Sequence, residues 1–400
     1  MTRSGTGILA IAACCAVSLA DAADWPPGVA RVLRGHGIAD SDVSVLVQPL
    51  AADAPVLAHL PDTPRNPASV MKLVTTWAAL EILGPAYTWP TEVYFRGDLD
   101  GGVLDGDLVL KGYGDPYLVL EEFWKLLRAL RRLGLEEIGG DLAIDDSFFT
   151  VDETDPGAFD SQPTRTYNVL PNALLVNFKA VHFQFVVDPR SGKLRVSTDP
   201  QLSNLDVRNR ISLADGPCRG YQAGISLDVV GQHLDAVALG GAFPRRCGAY
   251  GMSRTVLNHD TYAFGLFGTL WREMGGRFDG RLRRTVVAAD EVPVLTWRSP
   301  SLAEVIRSIN KNSNNVMTRQ LLYTLGAEQG GLPGTRAKGI EVVEEFLATQ
   351  GFDVDALSID NGAGLSRHER VSARLLVELL RSAARSPFAP EFMSSLSLGG

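Results

Sequence analysis

The residues of this 400-residue chain that could do chemistry begin with Ser69 and Lys72, three positions apart in the stretch NPASVMKL. A serine hydroxyl is a poor nucleophile at neutral pH and needs a base. A lysine can be that base only if burial or neighbouring positive charge lowers its pKa. Because residues three apart on a helix are neighbours, the two side chains would share one helix face. The pair therefore predicts serine nucleophilic catalysis with a lysine base.

The spacing alone is weak evidence, because the chain has seven lysines and a second one, Lys311, also follows a serine, Ser308, by three positions. Ser308 falls inside a helical pattern with polar residues after it, which is typical of an exposed helix face. Ser69 follows Pro67 and precedes an apolar helix, whose first turn offers free backbone N–H groups that can hold an oxyanion. The alternative for Ser69 is a helix N-cap, followed by a lysine that extends its amine to solvent.

Other kinds of catalytic site find little support in the sequence. No G-x-S-x-G, H-E-x-x-H or P-loop motif occurs, and the six histidines are scattered. The glycine turn GYGDP at 112–116 lacks the full phosphate-binding fingerprint. Asp145 and Asp146 are neighbours in a predicted strand, so they point to opposite faces and do not form a carboxylate dyad.

The elements that must position Ser69 and Lys72 follow a mixed α/β pattern. The segments VSVLVQPL and PVLAHL predict two paired strands, and residues 69–83 predict a helix with a wide apolar face. Residues 91–295 are β-like and rich in glycine and aspartate, with one amphipathic helix, LEEFWKLLRALRRLG. Four helical patterns follow from Ser301. The sequence therefore predicts an α/β (α+β) domain that begins, is interrupted by a β-rich insertion and then resumes.

The N-terminus predicts export from the cytoplasm. Arg3 is followed by the apolar run ILAIAACCAVSLA and by the small-residue site at 20–22, which is typical of a secretory signal cleaved after Ala22. The apolar run is too short to span a bilayer, so we expect no transmembrane span. A lipoprotein signal ending at Cys14 is the alternative, although its apolar stretch would be very short.

Two cysteines remain after such cleavage, Cys218 and Cys247. An even pair suits an oxidising compartment, and no C-x-x-C spacing favours a redox or metal site. A structural disulfide between them is therefore predicted. The net charge of −8, with mixed signs and no basic block, argues against nucleic acid as a partner.

A Ser-x-Asn pattern, Ser313-Asn314-Asn315, lies at a predicted boundary between a loop and a helix. This pattern, the segment NPASVMKLVTTWAALEILGPAYTW and four further segments together resemble one known family. The family is the class C low-molecular-mass penicillin-binding proteins, the D-alanyl-D-alanine carboxypeptidase/endopeptidases. These segments are GDLVLKGYGDPYL, YNVLPNALLVNFK, WRSPSLAEVIRSINKNSNNVMTRQLL and SIDNGAGLSRHERVSARLLVELL. The resemblance spans almost the whole chain after the signal.

The resemblance implies a penicillin-binding-protein/β-lactamase-like transpeptidase domain that is split by a large β-rich insertion of two smaller domains. The expected divisions are a signal peptide at 1–22, the first part of the transpeptidase-like domain at 23–90, the insertion at 91–295 and the second part at 296–400. Within the insertion, domain II is expected at about 91–177 and 260–295, and domain III at about 178–259.

The resemblance also implies roles for individual residues. Ser69 is expected to be the nucleophile, and its backbone N–H is expected to supply half of the oxyanion hole. Lys72 is expected to be the general base, Ser313 to relay a proton to the leaving amine, and Asn315 to bind the substrate's peptide backbone. The implied substrates are peptidoglycan stem peptides ending in D-Ala-D-Ala, or the D,D cross-bridges between stem peptides. β-Lactams would acylate the same serine, and no metal or cofactor is needed. The implied location is the periplasm.

One motif of that family, Lys-Thr-Gly or Lys-Ser-Gly, does not occur, and no lysine follows Lys338. In the family this motif helps bind the substrate carboxylate and supplies the second oxyanion N–H, and losing one such donor costs roughly 10²–10³ in rate. The central sheet would also lack its last strands, and an unpaired strand edge invites aggregation. We therefore expect the 400-residue form to be poorly soluble and to have little or no D,D-peptidase activity. The alternatives are a truncated, non-catalytic peptidoglycan-associated relative or unstable fragment, and a β-lactamase or esterase, against which the long insertion argues.

Overall fold

The architecture is a mixed α/β fold built on two large hydrophobic cores. It is described from a computed structural model, which covers residues 25–152, 154–230 and 235–397. The predicted signal peptide and Cys14 lie outside the described residues. The helices are α1 (Pro27–Gly35), α2 (Met71–Leu83), α3 (Leu120–Arg132), α4 (His259–Glu273), α5 (Leu302–Asn312), α6 (Asn315–Gly330), α7 (Arg336–Thr349), α8 (Ala373–Ala383) and α9 (Ala389–Ser395).

The strands form one seven-stranded sheet and several small ones. They are β1 (Val45–Val47), β2 (Leu57–His59), β3 (Pro90–Asp100), β4 (Val103–Gly112), β5 (Glu137–Ile138), β6 (Leu142–Asp145), β7 (Val181–Val187), β8 (Leu194–Asp199), β9 (Asp206–Asn209), β10 (Ser212–Ala214), β11 (Ser226–Val230), β12 (Ala236–Gly240), β13 (Ala242–Pro244), β14 (Ala249–Arg254), β15 (Arg277–Phe278), β16 (Leu282–Arg284) and β17 (Leu295–Arg298). The predicted pairing of the first two strands is confirmed, because β1 and β2 are antiparallel.

The first core, which we call the helical core, surrounds α2. Met71, Val74 and Leu80 are fully buried, and α2 contacts α5, α6, α7 and α8. Full burial of one such side chain stabilises the fold by about 1.5–3 kcal/mol. The buried residues of this core come from the chain up to Trp89 and again from Leu302, and Tyr117 and Phe178 pack against it from the segment between, so residues far apart in sequence share one interior. That interior fixes α2, which carries Lys72.

The second core lies between those two passages of the chain. The long hairpin of β3 and β4 is central to the seven-stranded sheet, and the sheet also includes β5, β6, β15, β16 and β17. Helix α3 packs an apolar stripe, Phe123 to Leu130, into this core and exposes its charged face. Strands β7 to β14 form three smaller sheets. The predicted disulfide is confirmed, since Cys218 and Cys247 are bonded with Cα atoms 5.4 Å apart.

The domain boundaries given above stay predictions. Among the residues that the structure describes, no helix is both long and apolar enough to cross a membrane.

Candidate active site

Ser69 lies in a 3₁₀ turn, Ala68–Val70, directly before α2. The regular helix thus begins at Met71, two residues later than the sequence predicts. Ala68 has a left-handed backbone, with φ 46°, and its N–H donates to Asn66 Oδ1 at 2.9 Å. This turn leaves the Ser69 side chain exposed at the surface, while the helix behind it enters the core.

Lys72 is only 2% exposed, as a base beside a nucleophile requires. Its ammonium donates to Ser69 Oγ at 3.2 Å, to Asn315 Oδ1 at 2.7 Å and to the Ala363 carbonyl. Burial lowers the pKa of Lys72 to about 8, while nearby Glu369 raises it and Arg319 lowers it. Near pH 8 about half of the amines are therefore neutral and able to accept a proton.

Ser313 reaches the same point from the junction of two helices. It ends α5 with a left-handed backbone, φ 53°, and Asn314 then caps α6 by accepting from Met317 N at 3.1 Å. This sharp reversal aims the Ser313 hydroxyl at Ser69, to whose Oγ it donates at 2.8 Å. The structure therefore brings together all four residues predicted to act in the site, and adds a contact between Asn315 and Lys72 that the sequence did not predict.

A glycine-rich loop, residues 360–364, closes the inner side of the site. Gly362 and Gly364 have φ of +68° and +80°, values that favour glycine. A Cβ on Gly364 would lie 1.8 Å from the Ala68 carbonyl oxygen, so any other residue would displace the turn that carries Ser69. Thr75 on α2 fixes the loop by donating to the Gly362 carbonyl at 2.8 Å. This loop delivers the Ala363 carbonyl to Lys72.

Asp145 and Asp146 make separate contacts, but the predicted strand does not include both, since β6 ends at Asp145. Asp145 is buried and accepts from the N–H groups of Ser147 at 3.0 Å and Val287 at 2.8 Å. Asp146 instead accepts from Asn172 Nδ2 at 2.9 Å. Within the described ranges, no group of three or more His, Cys, Asp or Glu side chains is arranged to hold a metal ion.

A groove of about 320 Å³ runs from this site towards the second core. Its lining residues are Thr166, Tyr167, Phe178, Ala180, Ser253, Asn312, Ser313, Asn314, Asn315 and Val316. Two of the four site residues, Ser313 and Asn315, thus line a groove whose other wall includes residues between Thr166 and Ser253.

Comparisons with known proteins show which family the chain resembles. The family model described as "D-Ala-D-Ala carboxypeptidase 3 (S13) family" matches residues 28–400. The D-alanyl-D-alanine carboxypeptidase DacB of Haemophilus influenzae is 24% identical over 333 residues, which are 83% of this chain and 69% of that protein. The D-alanyl-D-alanine carboxypeptidase of an Actinomadura species is 29% identical over 346 residues, 84% of this chain and 63% of that protein. The chain thus spans roughly two thirds of these relatives.

The fold is also shared with a solved structure. Penicillin binding protein 4 (dacB) from Haemophilus influenzae superposes with a TM-score of 0.74 at 23% identity, over 88% of this chain and 76% of that one. The same protein complexed with a β-lactam gives a TM-score of 0.71, over 89% and 77%. The predicted penicillin-binding-protein/β-lactamase-like fold is confirmed.

Proposed function

Because the chain belongs to the D-Ala-D-Ala carboxypeptidase 3 (S13) family, we propose that it is a serine-type D-Ala-D-Ala carboxypeptidase/endopeptidase that acts on peptidoglycan stem peptides. One observation carries the proposal. The exposed Ser69 Oγ lies between the Lys72 amine at 3.2 Å and the Ser313 hydroxyl at 2.8 Å. A nucleophile within reach of a base and of a second proton carrier is the arrangement that acyl transfer needs.

In the proposed acylation step, the neutral Lys72 amine takes the Ser69 proton as Oγ attacks the carbonyl carbon of the penultimate D-alanine. The resulting oxyanion is held by backbone N–H groups, among them that of Ser69. The C–N bond then breaks, and Ser313 passes a proton, replaced from Lys72, to the departing amine of the terminal D-alanine. Water attacks the acyl-enzyme with Lys72 again as base, which releases the shortened peptide and restores Ser69.

Asn315 has two roles in this proposal. Its Oδ1 accepts from Lys72 at 2.7 Å, which holds the amine towards Ser69. Its Nδ2 has no hydrogen-bond partner among the residues that the structure describes and can donate to a carbonyl of the bound peptide. A β-lactam presents a strained amide to the same serine, so we propose that it acylates Ser69 and forms a stable adduct.

We propose a periplasmic location. The support is the predicted N-terminal signal together with the Cys218–Cys247 disulfide, a bond that persists in oxidising compartments. N-terminal sequencing of the protein from a periplasmic extract should give a start near Ala23, and thiol titration should find no free cysteine. A retained Met1, or two free thiols, would contradict this location.

The proposed activity is tested by D-alanine release from a synthetic stem peptide ending in D-Ala-D-Ala. The wild-type protein should release D-alanine measurably above background, although at the low rate expected without a Lys-Thr-Gly or Lys-Ser-Gly motif. The Ser69→Ala variant should release none above background, and a peptide ending in L-Ala-L-Ala should not be cleaved. Release that survives in Ser69→Ala would assign the nucleophile elsewhere. A wild-type protein that is inactive on the peptide and unreactive with penicillin would reject the proposal.

A further inference from the structure

Glu369 is a buried carboxylate that the steps above do not use. Its side chain is 0% exposed, in the segment whose next residue, Arg370, forms a β-bridge with Ser358. Burying a carboxylate is costly unless it is paired or hydrogen-bonded. Glu369 Oε2 has no hydrogen-bond partner among the described residues. The hydrogen bonds of the other carboxylate oxygen, Oε1, must therefore offset the cost of burial.

The other oxygen of Glu369 gathers the backbone of the glycine-rich loop. Oε1 accepts the N–H groups of Gly362 at 2.8 Å, Asn361 at 3.0 Å and Asp360 at 3.4 Å. Three converging amides fix the path of the loop at its entry. The next residue along is Ala363, whose carbonyl accepts from Lys72.

The same loop also carries the contact with the nucleophile. Gly364 lies so close to the Ser69 turn that an added Cβ would be 1.8 Å from the Ala68 carbonyl oxygen and 2.7 Å from the Ser69 nitrogen. A shift of the loop would therefore move both the acceptor for Lys72 and the support of Ser69. A misplacement of about 1 Å in a catalytic group can cost roughly 10² in rate.

Charged groups on three elements lie around Glu369 and the 360–364 loop, which together we call the clamp. Lys72 faces it from α2, Arg319 from α6 and Asp360 from the loop itself. Burial raises the pKa of Glu369, its bonds to the loop amides lower it, and Asp360 raises it. The carboxylate in turn raises the pKa of Lys72, and Arg319 lowers it. Charge on Glu369 and proton affinity of the base are thus coupled.

We propose that Glu369 is a positioning residue for acyl transfer, which clamps the 360–364 loop so that the Ala363 carbonyl holds Lys72 and Gly364 supports the Ser69 turn. It also tunes the base through its charge. This inference rests on the proposed function, because it assigns Glu369 a role in the chemistry of Ser69 and Lys72.

Three variants of the full chain test this role. Glu369→Ala removes the clamp, Glu369→Gln keeps an Oε1 acceptor but removes the charge, and Glu345→Gln is the control, since Glu345 is an exposed carboxylate on α7. The readouts are the acylation rate with a fluorescent penicillin between pH 5 and 10, and amide hydrogen exchange across the chain.

Glu369→Ala should lower the acylation rate at least tenfold on the high-pH plateau and speed exchange at residues 360–362 selectively. Glu369→Gln should stay within threefold of wild type on the high-pH plateau, while its rising limb moves to lower pH, because the Lys72 ammonium has lost a neighbouring negative charge. Glu345→Gln should match wild type in both readouts.

An alanine variant that acylates at the wild-type rate would overturn the positioning role, and so would exchange that rises uniformly over the whole chain. An unshifted limb in Glu369→Gln would overturn the electrostatic part. If the wild-type protein does not react with penicillin, the proposed function fails, and the exchange pattern alone then decides whether the clamp exists.

Discussion

Ser69/Lys72 and Ser308/Lys311 have the same spacing and entirely different surroundings. Lys72 is 2% exposed and donates to Ser69, Asn315 and the Ala363 carbonyl. Lys311 lies exposed near the end of α5 and donates to the Leu396 carbonyl at 2.8 Å. Within the part of the chain that the structure describes, no side-chain hydrogen bond joins Ser308 to Lys311. The spacing places two side chains on one helix face and does no more than that.

The two pairs differ in how many other segments of the chain contact them. Three segments that are distant in sequence converge on Ser69: its own turn, the Ser313 reversal and the loop at 360–364. Ser308 instead sits inside the regular helix α5, where its carbonyl accepts from Asn312 Nδ2 at 3.2 Å. Catalytic potential thus depends on a nucleophile placed just outside a helix, where partners from other segments can reach it.

The largest expected effect comes from removing each lysine in turn. Lys72→Met should lower the rate of acylation by penicillin by about 10³ or more, because general-base catalysis contributes roughly 10²–10⁴. Lys311→Met should change that rate by less than about twofold, as expected for a surface residue. Stopped-flow or gel-based labelling measures both rates. Equal losses in the two variants would contradict the claim that Lys72 acts as the base and Lys311 does not.

Removing the second hydroxyl should have the next largest effect. Ser313→Ala deletes the group that donates to Ser69 Oγ, and we expect D-alanine release to fall by about 10². Ser308→Ala should leave turnover unchanged. Steady-state assays on the D-Ala-D-Ala peptide compare the two, and a Ser313→Ala variant with wild-type turnover would remove Ser313 from the proton path.

The pH dependence should follow Lys72 and be indifferent to Lys311. Burial lowers the pKa of Lys72 to about 8, and the neutral amine is the reactive form in the proposed mechanism. Acylation should therefore rise about tenfold per pH unit below 8 and level off above it. Lys311→Met should give the same curve. A rate that is flat between pH 6 and 9 would show that a group other than Lys72 takes the proton.

The smallest expected effect comes from replacing glycines. A pair of glycine variants separates the loss of close packing against the Ser69 turn from the cost of backbone strain. Gly364→Ala places a methyl group against the Ala68 carbonyl and should destabilise the protein by about 1–3 kcal/mol while slowing acylation. Gly351→Ala is the matched control, because Gly351 also has a positive φ, +85°, but has no atom within 4 Å of the added Cβ. It should cost only about 1 kcal/mol and leave acylation intact.

Thermal unfolding and penicillin labelling measure the two glycine variants side by side. If both variants lost stability equally and both kept full acylation, contact with the Ser69 turn would not matter.

The sequence predicted those parts of the site whose side chains do the chemistry in the proposed mechanism. Ser69, Lys72, Ser313 and Asn315 carry hydroxyl, amine and amide groups in short patterns, and they do meet. The Ala363 carbonyl could not be predicted, because any residue has a backbone carbonyl and only the fold selects which one reaches Lys72. Glu369 was missed for a related reason, since nothing local distinguishes a buried glutamate from an exposed one.

The mixed α/β class was predictable from periodicity, but α4 was not. This helix is buried on most of its surface and so shows no clear polar stripe. It also contains Gly265 and Gly268, which disfavour helix in isolation. In the fold, a Cβ at those positions would lie 1.9 Å from Asn204 Oδ1 and 2.8 Å from Ser203 Oγ, so close packing requires the glycines.

The most direct test of the central claim is the site of covalent attachment of a penicillin. The protein is incubated with the drug, digested, and analysed by tandem mass spectrometry. The account predicts a single penicilloyl adduct on Ser69 in the peptide around NPASVMKL, with Ser308 and Ser313 unmodified and no adduct in Ser69→Ala. An adduct on Ser308, on Ser313 or on any other residue would contradict it.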